Sequence, residues 1–198
     1  MKEQLKKFWE FLKKDTWQSW LVSLILIVVF IKLIFFPSLS FITNSPLPLV
    51  VVESCSMYHE TNFDSWWQSN KEWYESRGIT KEQFQEFTFM KGLNKGDIIF
   101  VYNRGETELG DIIIFDSGLG ESIHPIIHRV ISLNPVATKG DHNKQQLTGN
   151  AESRFIDETN IPWERIIGKS VGRIPFIGWV KLIFFEPFRA EPERGLCR

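Results

Sequence analysis

The most pronounced feature of the hydropathy pattern is a continuous apolar run near the N-terminus. Residues 20–36 have the sequence WLVSLILIVVFIKLIFF, in which only Ser23 and Lys32 are polar. Apolar side chains cover every face of the corresponding helix, which is typical of a bilayer-spanning helix and not of an amphipathic one. With its flanking residues the run predicts a transmembrane anchor over 17–38. A buried core helix and a cleaved signal peptide are the alternatives.

Basic residues are distributed unevenly on the two sides of this run. Five lysines precede it: Lys2, Lys6, Lys7, Lys13 and Lys14. No further Lys or Arg occurs between Lys32 and Lys71. The positive-inside rule therefore predicts a cytoplasmic segment over 1–16 and an extracytoplasmic domain over 39–198, in a single-pass protein of the cell membrane.

Downstream of Gly92 the pattern changes to short runs of β-branched residues separated by Gly, Asp and Asn. The runs are DIIFVY, DIIIF, IIHRVIS and IIGKSVGRI, and an earlier one, LVVV, follows two prolines. Such runs predict β-strands that are buried on both faces or closed into a barrel. The polar segment 139–160 is predicted to be a loop, and the apolar segment 174–185 a final strand or a membrane-surface contact.

Between these runs, residues 61–91 have a helix-forming composition with several aromatic residues. Gly78 divides the segment, which predicts two short helices inserted into the β domain. Two interpretations of Trp66 and Trp67 are open. They either pack the inserted helices against the main body or, as we hypothesise from their position after the first strand, rest on the membrane.

Composition and charge exclude several classes of protein. The 198 residues are 43% hydrophobic, which suits one domain with a core and excludes a disordered or collagen-like chain. The formal net charge is −1 without a basic stripe, so nucleic-acid binding is not expected. Cys55 and Cys197 form no C-x-x-C pair and no disulfide framework, which predicts a core without disulfide staples and neither a metal site nor a cofactor.

Candidate chemistry is concentrated after the first strand and in one later strand. A serine in the segment Glu53–Met57 needs a base within hydrogen-bond reach to act as a nucleophile. His128 is an imidazole within an aliphatic strand, so it is either a hydrogen-bonded core residue or a functional one. Asp141 in the following turn could orient that imidazole, and Asp157 is a second carboxylate in the same loop. Two other histidines lie in polar stretches and are expected to be solvated: His59 and His142.

These motifs, in this order, resemble type I signal peptidases, in particular the archaeal and endoplasmic-reticulum branch. The motifs are SPLPLVVVESCSM from Ser45, GDII from Gly96, GDIIIF from Gly110, IHRVI from Ile127, TKGDHN from Thr138 and IGK from Ile167. The resemblance implies a mainly β fold. Its parts are a signal-peptidase-like β-barrel or sandwich catalytic domain, one N-terminal transmembrane helix and a small helical insertion.

The resemblance also implies roles for individual residues. Ser56 is the implied nucleophile and His128 the implied general base, where the bacterial branch has a lysine. Asp141 or Asp157 is the implied acidic partner. The Ser56 backbone N–H forms the implied oxyanion hole. Two neighbours complete the implied oxyanion and substrate-binding set: Ser54 and Met57.

The expected function is that of a membrane-anchored serine endopeptidase of the signal peptidase I class, which removes signal peptides from exported proteins. Its expected partners are the signal peptides of secretory preproteins, the lipid bilayer and the protein-export machinery. A catalytically silent homologue that binds or scaffolds in the membrane is the first alternative. A cysteine hydrolase is the second, because Cys55 stands where this family usually has Gly. Tyr58 and His59 also depart from the family pattern.

Overall fold

The computed structural model describes residues 1–118, 124–150 and 155–197. They form two compact units, an N-terminal unit, Met1–Ile42, and a unit that we call the β unit, Thr43–Arg198.

The N-terminal unit is helical. It contains α1 (Lys2–Leu12), α2 (Trp17–Phe30) and a π-helical turn (Ile31–Phe35), which continues into α3 (Phe36–Thr43). The stretch Trp17–Thr43 is 27 residues long, has a mean hydropathy of 2.7 and buries almost none of its side chains. At 1.5 Å per residue this length exceeds the ~30 Å of a bilayer core. The predicted apolar helix is therefore confirmed, and its exposure argues against a buried core helix.

This helix extends beyond residue 38, where the predicted anchor ends. Pro37 has no backbone N–H and would break the hydrogen-bond ladder inside a regular helix. Here it follows the π-helical turn, in which the Phe36 N–H bonds to the Ile31 carbonyl. The ladder is already shifted at this point, so the chain stays helical as far as Thr43.

The β unit is built on one antiparallel sheet of six strands, which confirms the mainly β prediction. The strands are β1 (Leu49–Val51), β2 (Ile98–Tyr102), β3 (Ile112–Phe115), β4 (Ile126–Leu133), β5 (Val136–Lys139) and β6 (Ile166–Ile174). Their order in the sheet is β1-β2-β6-β3-β4-β5, so β1 and β5 are the edges. Every predicted run forms a strand, whereas β5 lies where no strand was predicted.

The apolar runs form strands because they are buried. All four side chains of β3 are fully buried, since the strand lies within the sheet and is covered on both faces. Alternate residues of β2, Ile99 and Val101, pack with Val52 and Met57 in one core cluster. This packing fixes the chain that leaves β1 against the sheet.

The inserted segment forms two helices, as predicted, α4 (Phe63–Glu75) and α5 (Lys81–Glu86). Gly78 separates them and has φ +76°, a conformation that a residue with a Cβ rarely adopts. Trp66 and Trp67 are 5% and 2% exposed and pack in an aromatic cluster of the β unit. The hypothesis that they rest on the membrane is therefore wrong, because their rings are not available to lipid.

The C-terminal part of the chain differs from two predictions. Beyond β6 it forms a short helix, α6 (Trp179–Leu182), rather than a final strand. Cys55 and Cys197 form a disulfide across a sequence separation of 142 residues, so the prediction of a core without staples is wrong. Two cysteines far apart in sequence give no spacing signal, and only the fold brings them together.

Candidate active site

The segment after β1 forms a tight turn that contains both candidate serines. The Tyr58 N–H bonds to the Cys55 carbonyl at 3.0 Å, which places Ser56 at the corner of the turn. Ser56 Oγ lies 3.2 Å from Ser54 Oγ. Met57 is 1% exposed and packs in the core, so it anchors the turn and does not line a cavity.

His128 lies on β4, opposite Ile113 of β3, and is 4% exposed. Its Nδ1 atom is in close hydrogen-bond contact with Glu158 Oε1. A buried imidazole needs such a partner, and the contact leaves Nε2 to face the other side of the ring. His128 is thus a paired histidine with one nitrogen directed away from its carboxylate.

Glu158 is fully buried and held by several further contacts. Its Oε1 accepts a hydrogen bond from Thr138 Oγ1 at 3.2 Å, and its Oε2 accepts one from the Leu147 N–H at 2.8 Å. The Thr138 N–H also bonds to the Glu158 backbone carbonyl at 2.9 Å. The side chain therefore has a fixed orientation towards His128.

The structure places neither predicted carboxylate against His128. Asp157 Oδ1 accepts hydrogen bonds from the backbone N–H and the hydroxyl of Thr159, at 2.8 and 2.7 Å. Asp157 also forms a β-bridge with Thr148. Successive side chains of an extended segment point in opposite directions, so the outward position of Asp157 implies an inward position for the next residue, Glu158. That alternation is the sequence signal by which Glu158 could have been found.

Asp141 is fully buried in a different cluster. Arg129 binds it with two hydrogen bonds, from Nε to Oδ1 at 2.9 Å and from Nη2 to Oδ2 at 2.7 Å. Burial acts to raise the pKa of Asp141, but the Arg129 guanidinium and the His59 hydrogen bond outweigh it and hold this pKa well below its ordinary value. Asp141 is consequently an anion that joins the two loops next to Ser56.

His59 was expected to be solvated, and the structure shows instead that its side chain is buried. Its Nε2 lies 3.1 Å from Asp141 Oδ2, with a side-chain exposure of 2%. The expectation is wrong because the inserted helix α4 covers His59, which local sequence polarity does not indicate. His142 is exposed, in agreement with its expectation.

Gly140 lies between the turn that contains Ser56 and the ring of His128. A methyl group on Gly140 would lie 2.7 Å from the Ser56 carbonyl oxygen and 2.8 Å from His128 Nε2. A side chain does not fit there without displacing one of them. Because only glycine allows this approach, the backbone of the TKGDHN motif brings Ser56 and His128 to one place.

Ser56 and His128 line the same cavity, of about 610 Å³. Its lining includes the edge strand β1, Ser54, Asn143 and the β4 residues that precede His128. Glu53 lies on the rim, where Lys181 Nζ and Arg189 Nη2 each lie 2.7 Å from one of its carboxylate oxygens. The candidate nucleophile and base therefore meet at an open, mainly apolar cavity, and the candidate carboxylate lies buried behind the base, the arrangement that acyl transfer from a serine requires.

The disulfide excludes one alternative. The Cys55 sulfur is bonded to Cys197, so it is no thiolate nucleophile, and the cysteine hydrolase hypothesis is wrong. Within residues 1–118, 124–150 and 155–197, no group of three His, Cys, Asp or Glu side chains is arranged to hold a metal ion.

Several known proteins that are similar in sequence to this chain share one name. The chain is 31% identical over 158 residues to the signal peptidase complex catalytic subunit SEC11 of Colletotrichum graminicola, covering 75% of this chain and 70% of that protein. It is 31% identical over 169 residues to the protein of the same name from Pyrenophora tritici-repentis, covering 80% and 76%. In Sclerotinia sclerotiorum the identity to sec11 is 36% over 101 residues, covering 46% and 56%. No protein-family model matches the chain.

Proposed function

This chain belongs to the family of SEC11 signal peptidase catalytic subunits, and from that premise we propose that it cleaves signal peptides from exported proteins. The observation that carries the proposal is the placement of Ser56 and His128 on either side of Gly140, in one cavity. A catalytically silent homologue is not favoured, because a binding subunit has no need for a buried His128–Glu158 pair beside a serine turn.

The proposed mechanism is acyl transfer. His128 Nε2 takes the proton of Ser56 Oγ as the oxygen attacks the scissile carbonyl carbon, and the imidazolium then gives this proton to the leaving amine. His128 then takes a proton from the water that attacks the acyl-enzyme and returns it to Ser56 Oγ as the carboxylate product leaves. Glu158 accepts a hydrogen bond from the Nδ1–H group, which fixes the tautomer and stabilises the imidazolium.

The developing oxyanion needs donors next to the nucleophile. We assign this role to the Ser56 backbone N–H, at the corner of the turn, and to the Ser54 hydroxyl, whose oxygen lies 3.2 Å from Ser56 Oγ. Met57 supports the turn from the core and contributes no contact surface to the substrate. This changes the role that the family resemblance implies for Met57.

The cavity suits an extended peptide with small side chains. The edge strand β1 forms one wall, and an unpaired edge of a sheet offers hydrogen-bonding groups to an added strand. Shallow apolar space beside such an edge accepts small residues, as are found before signal-peptide cleavage sites. The proposed substrate is therefore the segment of a preprotein that follows its apolar signal helix.

We further propose a single-pass topology with residues 1–16 in the cytoplasm and the β unit on the extracytoplasmic side of the cell membrane. The five lysines before the apolar helix support this orientation. The disulfide supports it independently, because disulfides persist in oxidising compartments. The relatives are named as subunits of a complex, so we propose that partner subunits and the export machinery assemble with this chain too.

The test is cleavage of a model preprotein in lipid–detergent micelles, with the products identified by mass spectrometry. The wild type is expected to cut once, after a small residue, and Ser56→Ala and His128→Ala are expected to abolish the cut. Glu158→Gln is expected to lower kcat by roughly 10²- to 10⁴-fold, because the amide no longer stabilises the imidazolium.

Asp157→Asn is the matched control for Glu158→Gln. It changes the neighbouring carboxylate in the same way and is expected to leave kcat near the wild-type value, since Asp157 bonds to Thr159 and not to His128. Full activity of Ser56→Ala would overturn the proposed mechanism. Loss of activity in Asp157→Asn together with full activity in Glu158→Gln would overturn the assignment of the carboxylate.

A further inference from the structure

Helix α4 of the insertion contacts the candidate active site through aromatic side chains. The ring of Trp66 is stacked on His59, with centroids 3.8 Å apart and an interplanar angle of 5°. The Tyr74 hydroxyl lies 3.5 Å from Asp141 Oδ1. His59 follows the turn that contains Ser56, and Asp141 follows Gly140. The insertion therefore contacts both the turn that contains Ser56 and the loop that contains Gly140, which lies against His128 Nε2.

These two loops are joined by two links at the residues that directly follow Gly140. The His142 N–H donates to the Ser56 carbonyl at 2.8 Å, and His59 Nε2 pairs with Asp141 Oδ2 at 3.1 Å. Gly140 precedes both linking residues and lies against the Ser56 carbonyl and His128 Nε2. Loosening either link would let the loops separate and would change the distance from the nucleophile to the base.

Among the described residues, only one of the two ring nitrogens of His59 has a hydrogen-bond partner. Asp141 is a buried anion that Arg129 binds through both oxygens, so His59 Nε2 must carry the proton that it donates. Its Nδ1 is buried and has no hydrogen-bond partner among the described residues. An imidazole with an unsatisfied buried nitrogen is costly, and the stack on Trp66 is what holds its ring in place.

We propose that α4 and His59 form a positioning clamp for the nucleophile, in which Trp66 holds the His59 ring and His59 draws the Ser56 turn towards the loop of Gly140. The inference rests on the proposed function. His59 and Trp66 are positioning residues and touch neither substrate nor reacting atoms. A displacement of about 1 Å between nucleophile and base can cost on the order of 10²-fold in rate, so the clamp acts on kcat.

Trp66→Leu and Trp67→Leu form a matched pair for the test, in the full chain in lipid–detergent micelles. Both rings are buried in the same cluster, and each has its centroid 5.8 Å from that of Tyr74. Both rings also lie against Phe63 and Phe84, but of the two only Trp66 stacks on His59. Trp66→Leu is expected to lower kcat for preprotein cleavage by roughly ten- to a hundredfold without a matching rise in KM. Trp67→Leu is expected to lower thermal stability to a similar extent and to keep kcat.

A second pair tests the clamp at His59 itself. His59→Phe keeps a ring for the stack but removes the donor to Asp141, and it is expected to lower kcat. His59→Gln restores a terminal N–H donor and is expected to recover most of the lost kcat, a rescue that a merely space-filling role would not produce. Equal kcat values in the two Trp variants, or a fully active His59→Phe, would overturn the clamp while leaving the proposed function intact. Absence of cleavage by the wild type would overturn the proposed function, and the clamp with it.

Discussion

At the scale of single residues, the negative charges of two buried carboxylates beside the candidate active site are compensated in different ways. Asp141 is neutralised by the Arg129 guanidinium, which binds both of its oxygens. Glu158 is bound instead by a hydroxyl, a backbone N–H and the His128 imidazole. In the proposed mechanism the carboxylate of Glu158 therefore acts on His128, where positive charge develops as the serine loses its proton, and Arg129 does not bind this carboxylate.

The buried Lys139 is expected to make the stability of the protein depend on pH. It is fully buried at the end of β5, and its ammonium donates to the Gly140 carbonyl at 3.0 Å. Burial lowers the pKa of Lys139 to about 8, against the opposing effect of Asp141 and Glu158. Below pH 8 the Lys139 ammonium is buried in the folded protein and solvated in the unfolded chain, which lowers the free energy of unfolding. Between about pH 8 and 10.5 only the unfolded chain holds the proton, so this group makes stability rise with pH.

Lys139→Met is expected to remove this alkaline rise and to stabilise the protein at pH 7, by at most about 3 kcal/mol. The measurement is thermal unfolding of the full chain from pH 6 to 10. Lys144→Met is the control, because Lys144 is an exposed lysine of the same loop. If Lys139→Met and the wild type showed the same dependence of stability on pH, the buried ammonium would not be its cause.

The sequence allowed only part of the site to be predicted. His128 was identifiable because it is an imidazole within an aliphatic strand, where a structural role needs a partner. The residues alone did not distinguish Ser56 from Ser54, and Ser56 was implied by the family resemblance. Glu158 was missed, since the choice between it and Asp157 depends on which side of an extended segment faces inwards. His59 was missed because its burial depends on how the adjoining helix α4 folds over it, which the polarity of the local sequence does not indicate. Local sequence gives residue types, and long-range packing decides which of them meet.

At the scale of elements, the strands were predictable wherever Ile and Val form a continuous run. β5 was not, because Val136–Lys139 is short and ends in a lysine, which is uncommon in a buried strand. The segment after β6 has an apolar composition similar to that of a strand. It folds as α6 because its hydrogen bonds close locally, as in the bond from the Leu182 N–H to the Gly178 carbonyl at 3.1 Å.

The segment 176–188, which contains α6, exposes more apolar surface than a soluble protein normally does. More than half of each of seven large apolar side chains is exposed: Phe176, Ile177, Val180, Ile183, Phe184, Phe185 and Phe188. Patches of this kind mark contacts with proteins or membranes. In a membrane-anchored enzyme we expect this one to contact the bilayer surface, where the apolar part of the substrate emerges.

Phe184→Ser combined with Phe188→Ser tests this contact. Each Phe that enters an apolar phase contributes about 1.5–3 kcal/mol, so the double variant is expected to cleave a preprotein in lipid vesicles roughly tenfold more slowly or worse. Hydrolysis of a short soluble peptide in detergent should be unchanged, since neither side chain lines the cavity. Trp163→Ser, which removes an exposed aromatic residue outside this segment, should change neither rate. A vesicle rate equal to that of the wild type would exclude the membrane contact.

At the scale of the whole molecule, the C-terminal segment is fastened to the start of the active-site turn. Cys197 is bonded to Cys55, the residue before Ser56, and Arg189 pairs with Glu53 on the cavity rim. Lys95, which is buried, binds the same segment through the Glu186 carboxylate and the Glu193 carbonyl. The end of the chain therefore supports the turn that contains the proposed nucleophile, which a sequence with two distant cysteines does not indicate.

Cys197→Ser is expected to lower the free energy of unfolding by about 2–4 kcal/mol, because the bond closes a long loop and restricts the unfolded chain. For a domain of this size the corresponding fall in Tm is roughly 5–15 °C. Cys55→Ser added to Cys197→Ser should cost nothing further, since both substitutions remove the same bond. A larger loss in the double variant would mean that Cys55 contributes through packing instead.

The same cysteines report on the topology of the chain. If the β unit lies outside the cytoplasm, a maleimide should label the wild type in isolated membranes only after the disulfide has been reduced. Denatured Cys197→Ser should react with the maleimide without reduction, because its Cys55 thiol is free. Labelling of the denatured wild type before reduction would contradict the oxidising location and, with it, the proposed orientation.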